Sequence, residues 1–184
     1  MNEDVKKSKD ELGQTNRMRE IRIEKITLNI GAGKDAAKLE KGIKLIKHLT
    51  GTEPVKTITN KKLASWGIRP GLPIGCKLTI RDGTKKEIIS KMLKAKENIL
   101  KSSYFDGNGS ISFGVHEYID IPGVEYNPEV GIMGFQICIT LDRPGYRIKK
   151  RRIKKADIKK NHRITKDEAM EFIKNEFGVQ VESK

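Results

Sequence analysis

The sequence predicts an α+β fold: a mainly antiparallel sheet with helices packed on one face and an exposed face on the other. Strict alternation of apolar and polar residues at 26–30 and 74–81 gives each of these strands one buried and one wet side. Helical apolar spacing follows both, at 36–49 and 88–100. A parallel sheet covered on both sides would have strands apolar throughout, which these are not.

Residues 1–18 are polar, mixed in charge and aperiodic, and read as a flexible tail with Met18 as a second candidate start. A single domain is expected over 19–181, with an N-terminal half (19–72) and a C-terminal half (73–181) that includes a basic segment at 143–163. In the first strand Ile26, Leu28 and Ile30 alternate with Lys25, Thr27 and Asn29, and Gly31 and Gly33 end it. Ala36, Leu39, Ile43, Ile46 and Leu49 then mark a helix that Gly51 and Pro54 stop. Residues 55–60 read as extended, and the segment to Gly71 as a long loop. Alternation returns at Ile74, Cys76, Leu78 and Ile80. Thr84 and Glu87 have capping-box spacing and open a helix whose stripe runs through Ile88/Ile89, Met92/Leu93, Lys96 and Ile99/Leu100. Strands are expected near 110–116 and 132–141, with a loop at 117–131. A second capping box, Thr165 with Glu168, starts a last helix that Gly178 ends.

With 36% hydrophobic and 34% charged residues, the 184-residue chain is a polar globular protein, and it contains no membrane-length apolar run. Cys76 and Cys138 both fall in apolar-alternating segments and read as reduced core thiols. His48, His116 and His162 share no metal-ligand spacing with them, so neither a metal nor a cofactor is expected. Ser112, His116 and Asp120 lack the separation of any catalytic triad, and no paired carboxylates stand out; an enzyme is not expected. Gly31-Ala32-Gly33-Lys34-Asp35-Ala36 fits the G-x-G-x-x-A dinucleotide fingerprint, with Glu53 about twenty residues on. The polar residues Lys25, Thr27 and Asn29 argue against it, because the first strand of such a fold is buried on both sides. A glycine turn between strand and helix is the better reading.

Charge is the most informative feature. Between Arg143 and Arg163 eleven Lys/Arg face one acid, Asp157, and this window carries +10 of the chain's +14. Such a concentration implies a polyanionic partner, for which nucleic acid is the ordinary case. Arg143, Arg147, Lys149, Lys150, Arg151 and Arg152 are its leading candidates. Lys25, Thr27 and Asn29 project from one strand and Lys77, Thr79 and Arg81 from another. If those strands pair, they make a basic, hydrogen-bonding sheet surface; a plain solvent face is the alternative. Aromatic residues are only 5%, so shape and backbone recognition of folded RNA fits better than base stacking. Trp66, the single tryptophan, shares a loop with Lys61, Lys62 and Arg69. It reads either as a core anchor or as a surface presented to RNA.

Several stretches are specific enough to carry a resemblance. IRIEKITLNIGAG (21–33), TITNKKLASWGIRPGLPIG (57–75) with CKLT (76–79), and SYFDGNGSISFGVHEYIDIPGVEYNPEVGIMG (103–134) resemble the ribosomal protein L5 family of the large subunit. LDRPGYRIKKRR (141–152) and HRITKDEAMEFIKNEFGVQV (162–181) resemble its archaeal and eukaryotic branch. The resemblance implies a protein of the cytoplasmic ribosome that binds 5S rRNA and helps attach it in the central protuberance, beside neighbouring ribosomal proteins. It implies rRNA contacts at Lys25, Asn29 and Thr79, three of the residues already found by alternation. It adds Thr52, which stands where the bacterial branch often carries Gln. The loop from about 60 to 71 resembles the one that approaches P-site tRNA, with Lys61, Lys62, Trp66 and Arg69 as contacts. The basic segment is expected on large-subunit rRNA.

Overall fold

Ile26, Leu28 and Ile30 all point one way and are buried, while Lys25, Thr27 and Asn29 between them stay half-exposed. The computed structural model describes residues 16–182, and this strand, β1 (Arg22–Gly31), is the middle of its sheet. The chain continues through α1 (Ala36–Thr50), β2 (Val55–Ile58), β3 (Pro73–Ile80), α2 (Lys85–Lys94), β4 (Ile99–Lys101) and β5 (Ser110–Val115). It ends with β6 (Phe135–Asp142), the single turn α3 (Arg147–Lys150), α4 (Lys166–Phe177) and β7 (Gln180–Glu182). Five strands form one sheet in the order β2-β3-β1-β6-β5, every neighbouring pair antiparallel. β4 and β7 form a separate parallel pair. The predicted α+β architecture is thus the one observed, and strands from both predicted halves share the main sheet.

Asp35 caps α1, its Oδ1 accepting from the amides of Ala37 (2.9 Å) and Lys38 (3.2 Å). Gly51 closes the helix with φ +71°, a conformation that favours glycine. Leu39, Leu45 and Ile46 of α1 join Ile89, Met92 and Leu93 of α2 and Ala169 and Ile173 of α4 in one core against the sheet. Gly42 brings α1 down onto that sheet. A Cβ there would stand 3.1 Å from Ile30 Cγ2 and 3.3 Å from the Cys76 sulfur, tighter than most real contacts.

Three expectations are corrected, and the open reading of Trp66 is decided. Thr84 sits in helical geometry (φ −65°, ψ −12°) and makes no side-chain cap, because a turn over Asp82 and Gly83 has already begun the winding. The helix it precedes is also shorter than its apolar stripe. It unwinds after Lys94 through the positive-φ residues Glu97 and Asn98, and Ile99 and Leu100 continue as β4 beside β7. Trp66 is no core anchor but 67% exposed. Cys138 is not a core thiol either. Phe135, Ile137, Ile139 and Leu141 fill the inner face of β6, so Cys138 points outward with Gln136 and Thr140.

The second capping box forms as predicted. Thr165 Oγ1 accepts from the Glu168 amide at 3.4 Å, and Glu168 Oε2 accepts from the Thr165 amide at 2.9 Å. Most of the predicted tail lies outside the described residues. Of its last residues, Asn16 caps a 3₁₀ turn at Arg17–Arg19. The segment between β5 and β6 contains one 3₁₀ turn, where the wholly buried Tyr118 accepts from the Asn127 amide at 2.8 Å.

Candidate nucleic-acid interface

The sheet's outer face is assembled by its register. Lys25 lies opposite Thr140, and Thr140 opposite Ser110. Thr79, Thr27, Cys138 and Ser112 form the next row across β3, β1, β6 and β5. Val55, Lys77, Asn29 and Gln136 form the third, reaching edge strand β2. The two predicted polar strand faces therefore do pair, directly and antiparallel, and Arg81 extends the same side one residue past β3. Asn29 Nδ2 donates to Gln136 Oε1 at 3.2 Å, tying β1 to β6 across the surface. Lys25, Lys77 and Arg81 enter no salt bridge among the described residues. They give the face unneutralised positive charge, and its hydroxyls and amides give it donors and acceptors.

Sequence reasoning missed half of this surface. Ser110, Ser112, Gln136, Cys138 and Thr140 belong to it, and the signal was available: both β5 and β6 alternate with period two. Thr52 is placed off the sheet, exposed in the turn from α1 to β2, where its amide donates to Thr50 Oγ1 at 3.3 Å.

Beyond the Gly31/Pro73 end of the sheet, the β2–β3 connection is a second, smaller hairpin. Thr59 donates to Leu72 O (3.0 Å) and accepts from Gly71 (2.9 Å), and Leu63 and Ile68 exchange a pair of 3.0 Å backbone bonds. Buried Ile68 and Thr59 anchor it. Lys61, Lys62, Trp66 and Arg69 are all exposed on it, so the four predicted loop residues are brought together on one ordered projection.

The basic segment stands at the opposite end. β1 spans ten residues, so the two loops are separated by about 30 Å of sheet. Arg147, Lys149, Arg151 and Arg152 are exposed. Lys150 Nζ instead reaches Glu24 Oε2 (2.5 Å) and Asp142 Oδ2 (3.8 Å), next to Lys25. Arg143 overturns its expected role as an rRNA contact. Only 4% exposed, it pairs with Glu168 Oε1 at 2.8 Å and donates to the carbonyls of Arg163 (3.3 Å) and His162 (3.5 Å). Its charge is engaged inside the fold.

The glycine turn at 31–33 does not present a phosphate site. The amides of Ala32 and Gly33 both donate to Ile74 O, and Asp35 occupies the N-terminus of α1 with a carboxylate that would repel a pyrophosphate. Both neighbours of β1 are antiparallel, unlike a dinucleotide-binding sheet. No helix among the described residues is long and apolar enough to cross a membrane.

Fold and surface together define a class: an α+β protein whose cationic sheet face, between two basic projections, is covered by no helix of the described residues, an arrangement for binding rather than catalysis. Comparison with known families gives the particular one. A signature described as ribosomal protein L5 matches residues 16–69, and a second, describing the C-terminus of that same ribosomal family, matches residues 73–172. The large ribosomal subunit protein uL5 of Sulfurisphaera tokodaii is 46% identical over 167 residues, covering 90% of this chain and 94% of the relative. That of Nanoarchaeum equitans is 47% identical over 165 residues (89% and 97%), and that of Sulfolobus acidocaldarius 44% over 174 residues (95% and 98%). The chain belongs to the ribosomal protein L5 family, a structural and not an enzymatic family. The resemblance carried by the sequence motifs is borne out across nearly the whole chain.

Proposed function

We propose that the protein is a constituent of the large subunit of the cytoplasmic ribosome that binds 5S rRNA through its open sheet face and helps attach it in the central protuberance. The carrying observation is the juxtaposition of Lys25, Lys77 and Arg81, which enter no salt bridge among the described residues, with Thr27, Asn29 and Thr79 on a face that no helix of those residues covers. Cations on this face displace counterions from phosphates, while hydroxyls and the Asn29–Gln136 amide pair meet sugars and base edges. Thr52 extends the same interface along the β2 side. The hairpin loop, with Lys61, Lys62, Trp66 and Arg69, reaches P-site tRNA. The basic segment, through Arg147, Lys149, Lys150, Arg151 and Arg152, meets large-subunit rRNA, with neighbouring ribosomal proteins alongside. The domain that does this runs from 19 to 181.

The test is a titration against 5S rRNA from 0.1 to 0.5 M salt, with tRNA and duplex DNA as competitors. Neutralising ~6 phosphates gives log K a slope of about −4 to −5 against log salt. Preferential 5S binding that survives excess competitor is the expected result. Equal affinity for all three nucleic acids would overturn the reading.

A further inference from the structure

The basic segment is not a free arm, since both of its ends are fastened to the domain at one place. Where the chain leaves β6, Arg143 bonds the His162 and Arg163 carbonyls and the Glu168 carboxylate. One turn later the Tyr146 hydroxyl donates to His162 O at 3.3 Å and accepts from the Ile164 amide at 2.9 Å. His162 answers with its Nε2, 2.9 Å from Pro144 O, and its ring meets Tyr146 edge-on at 5.9 Å. These bonds close residues 147–161 into a loop whose mouth is a hydrogen-bonded latch.

The loop also has order of its own. Arg151 N donates to Arg147 O (2.9 Å), Ala156 N to Ile148 O (3.3 Å), and Arg151 Nε to Lys154 O (2.7 Å). Its inner side lines a cavity of about 90 Å³ together with Asn108 and Tyr146. Lys150 pins it sideways to Glu24 and Asp142, at the Lys25 end of the open face. Outside these bonds, Arg147, Lys149, Arg152, Lys154, Lys155, Lys159 and Lys160 stand exposed along it. The two aromatic rings beside it, Tyr146 and His162, face each other and bond into the latch, which leaves phosphates rather than bases as the loop's target.

We propose that residues 147–161 form a preordered clamp for the phosphate backbone of helical RNA, continuous with the open face, and that Arg143, Glu168, Tyr146 and His162 are positioning residues that hold it. The inference rests on the reading of the protein as an rRNA binder and deepens it. RNA contacts a surface that already exists, so little ordering cost is set against the binding energy.

Two experiments on the full chain test it. Hydrogen exchange without RNA should show the amides of Arg151, Ala156 and Ile164 protected; exchange at unstructured rates would overturn the preordering. Binding is then measured to a 20-base-pair RNA duplex and to a single strand of equal length, with wild type, Tyr146→Phe, Glu168→Gln and the charge variant Lys149→Gln/Arg152→Gln. The latch variants should lose about ten-fold in duplex affinity with the salt slope kept, because every loop cation remains. Tyr146→Phe carries the test if Glu168→Gln unfolds the chain. Unchanged affinity in the latch variants, or preference for the single strand, would overturn the clamp. The charge variant should lower the slope by about 1.5. If it changes nothing while the loop is protected from exchange, the RNA-binding reading of this segment fails rather than its order.

Discussion

Glu168 holds Arg143 with one carboxylate oxygen and caps α4 with the other: Oε1 lies 2.8 Å from the guanidinium, and Oε2 accepts from the Thr165 amide at 2.9 Å. One acidic side chain thereby starts the last helix and neutralises a cation that is almost wholly buried. Desolvation works against the ionised carboxyl, but the Thr165 amide and Arg143 outweigh it and hold its pKa below the ordinary 4.5. A depressed pKa in the folded state contributes stability above the ordinary carboxylate range and loses it as pH falls through the folded value.

Glu168→Gln keeps the capping geometry and removes the charge. At pH 7 it should cost about 1–2 kcal/mol, less than a fully buried pair would, because Glu168 is 37% exposed and Arg143 keeps two carbonyl acceptors. Urea denaturation of both proteins at pH 7 and again well below pH 4.5 checks this. The gap between them should shrink at the acid end; a gap that stays constant would remove the ion pair from the explanation.

Lys25→Glu with Thr79→Glu reverses the electrostatics of the open face without touching the core, since both side chains point away from the helices. Affinity for 5S rRNA should fall at least ~10-fold and the salt slope by about 1, with an unchanged thermal transition. Full affinity in the double variant would shift the 5S site elsewhere on the molecule.

The two cysteines give a chemical readout of the same surface. Cys76 is fully buried beneath α1, and burial pushes its thiol pKa up, so it should resist alkylation until the protein unfolds. Cys138 sits between Thr27 and Ser112 on the open face and should take up one equivalent of maleimide in the native protein. Saturating 5S rRNA should slow that reaction several-fold. Equal labelling rates with and without RNA would mean that this row of the sheet stays uncovered.

What could be read from the residues followed the strength of their periodicity. β1 and β3 alternate cleanly, so each strand shows which of its residues face outward, while their adjacency, left conditional by the sequence, comes only from the register. β6 alternates as well, but its outward residues include a cysteine, which hydrophobicity alone places inside. The end of α2 was misjudged because Ile99 and Leu100 continue a helical stripe by spacing while belonging to a strand. Nothing short of the positive φ at Glu97 and Asn98 marks the break. Arg143 was hidden for a different reason. Its partner lies 25 residues on, and a run of cations gives no hint that its first member turns inward.

Trp66 tests whether the hairpin and the open face meet different RNAs, as proposed. It is exposed at the tip of an anchored hairpin, with Lys61 and Lys62 on the same projection and about 30 Å of sheet between it and the basic loop. An exposed indole on a rigid hairpin offers a stacking platform with little to lose in ordering, worth about 1–3 kcal/mol per stacked base. Trp66→Ala and, separately, Lys61→Glu with Lys62→Glu should therefore leave 5S rRNA affinity within about two-fold while weakening P-site tRNA occupancy on reconstituted ribosomes about ten-fold. Ile68 and Thr59 anchor the hairpin from below, so neither change should unfold it. Parallel loss of 5S binding and tRNA occupancy would show that the hairpin and the open face meet one RNA, and the division of labour between them would fall.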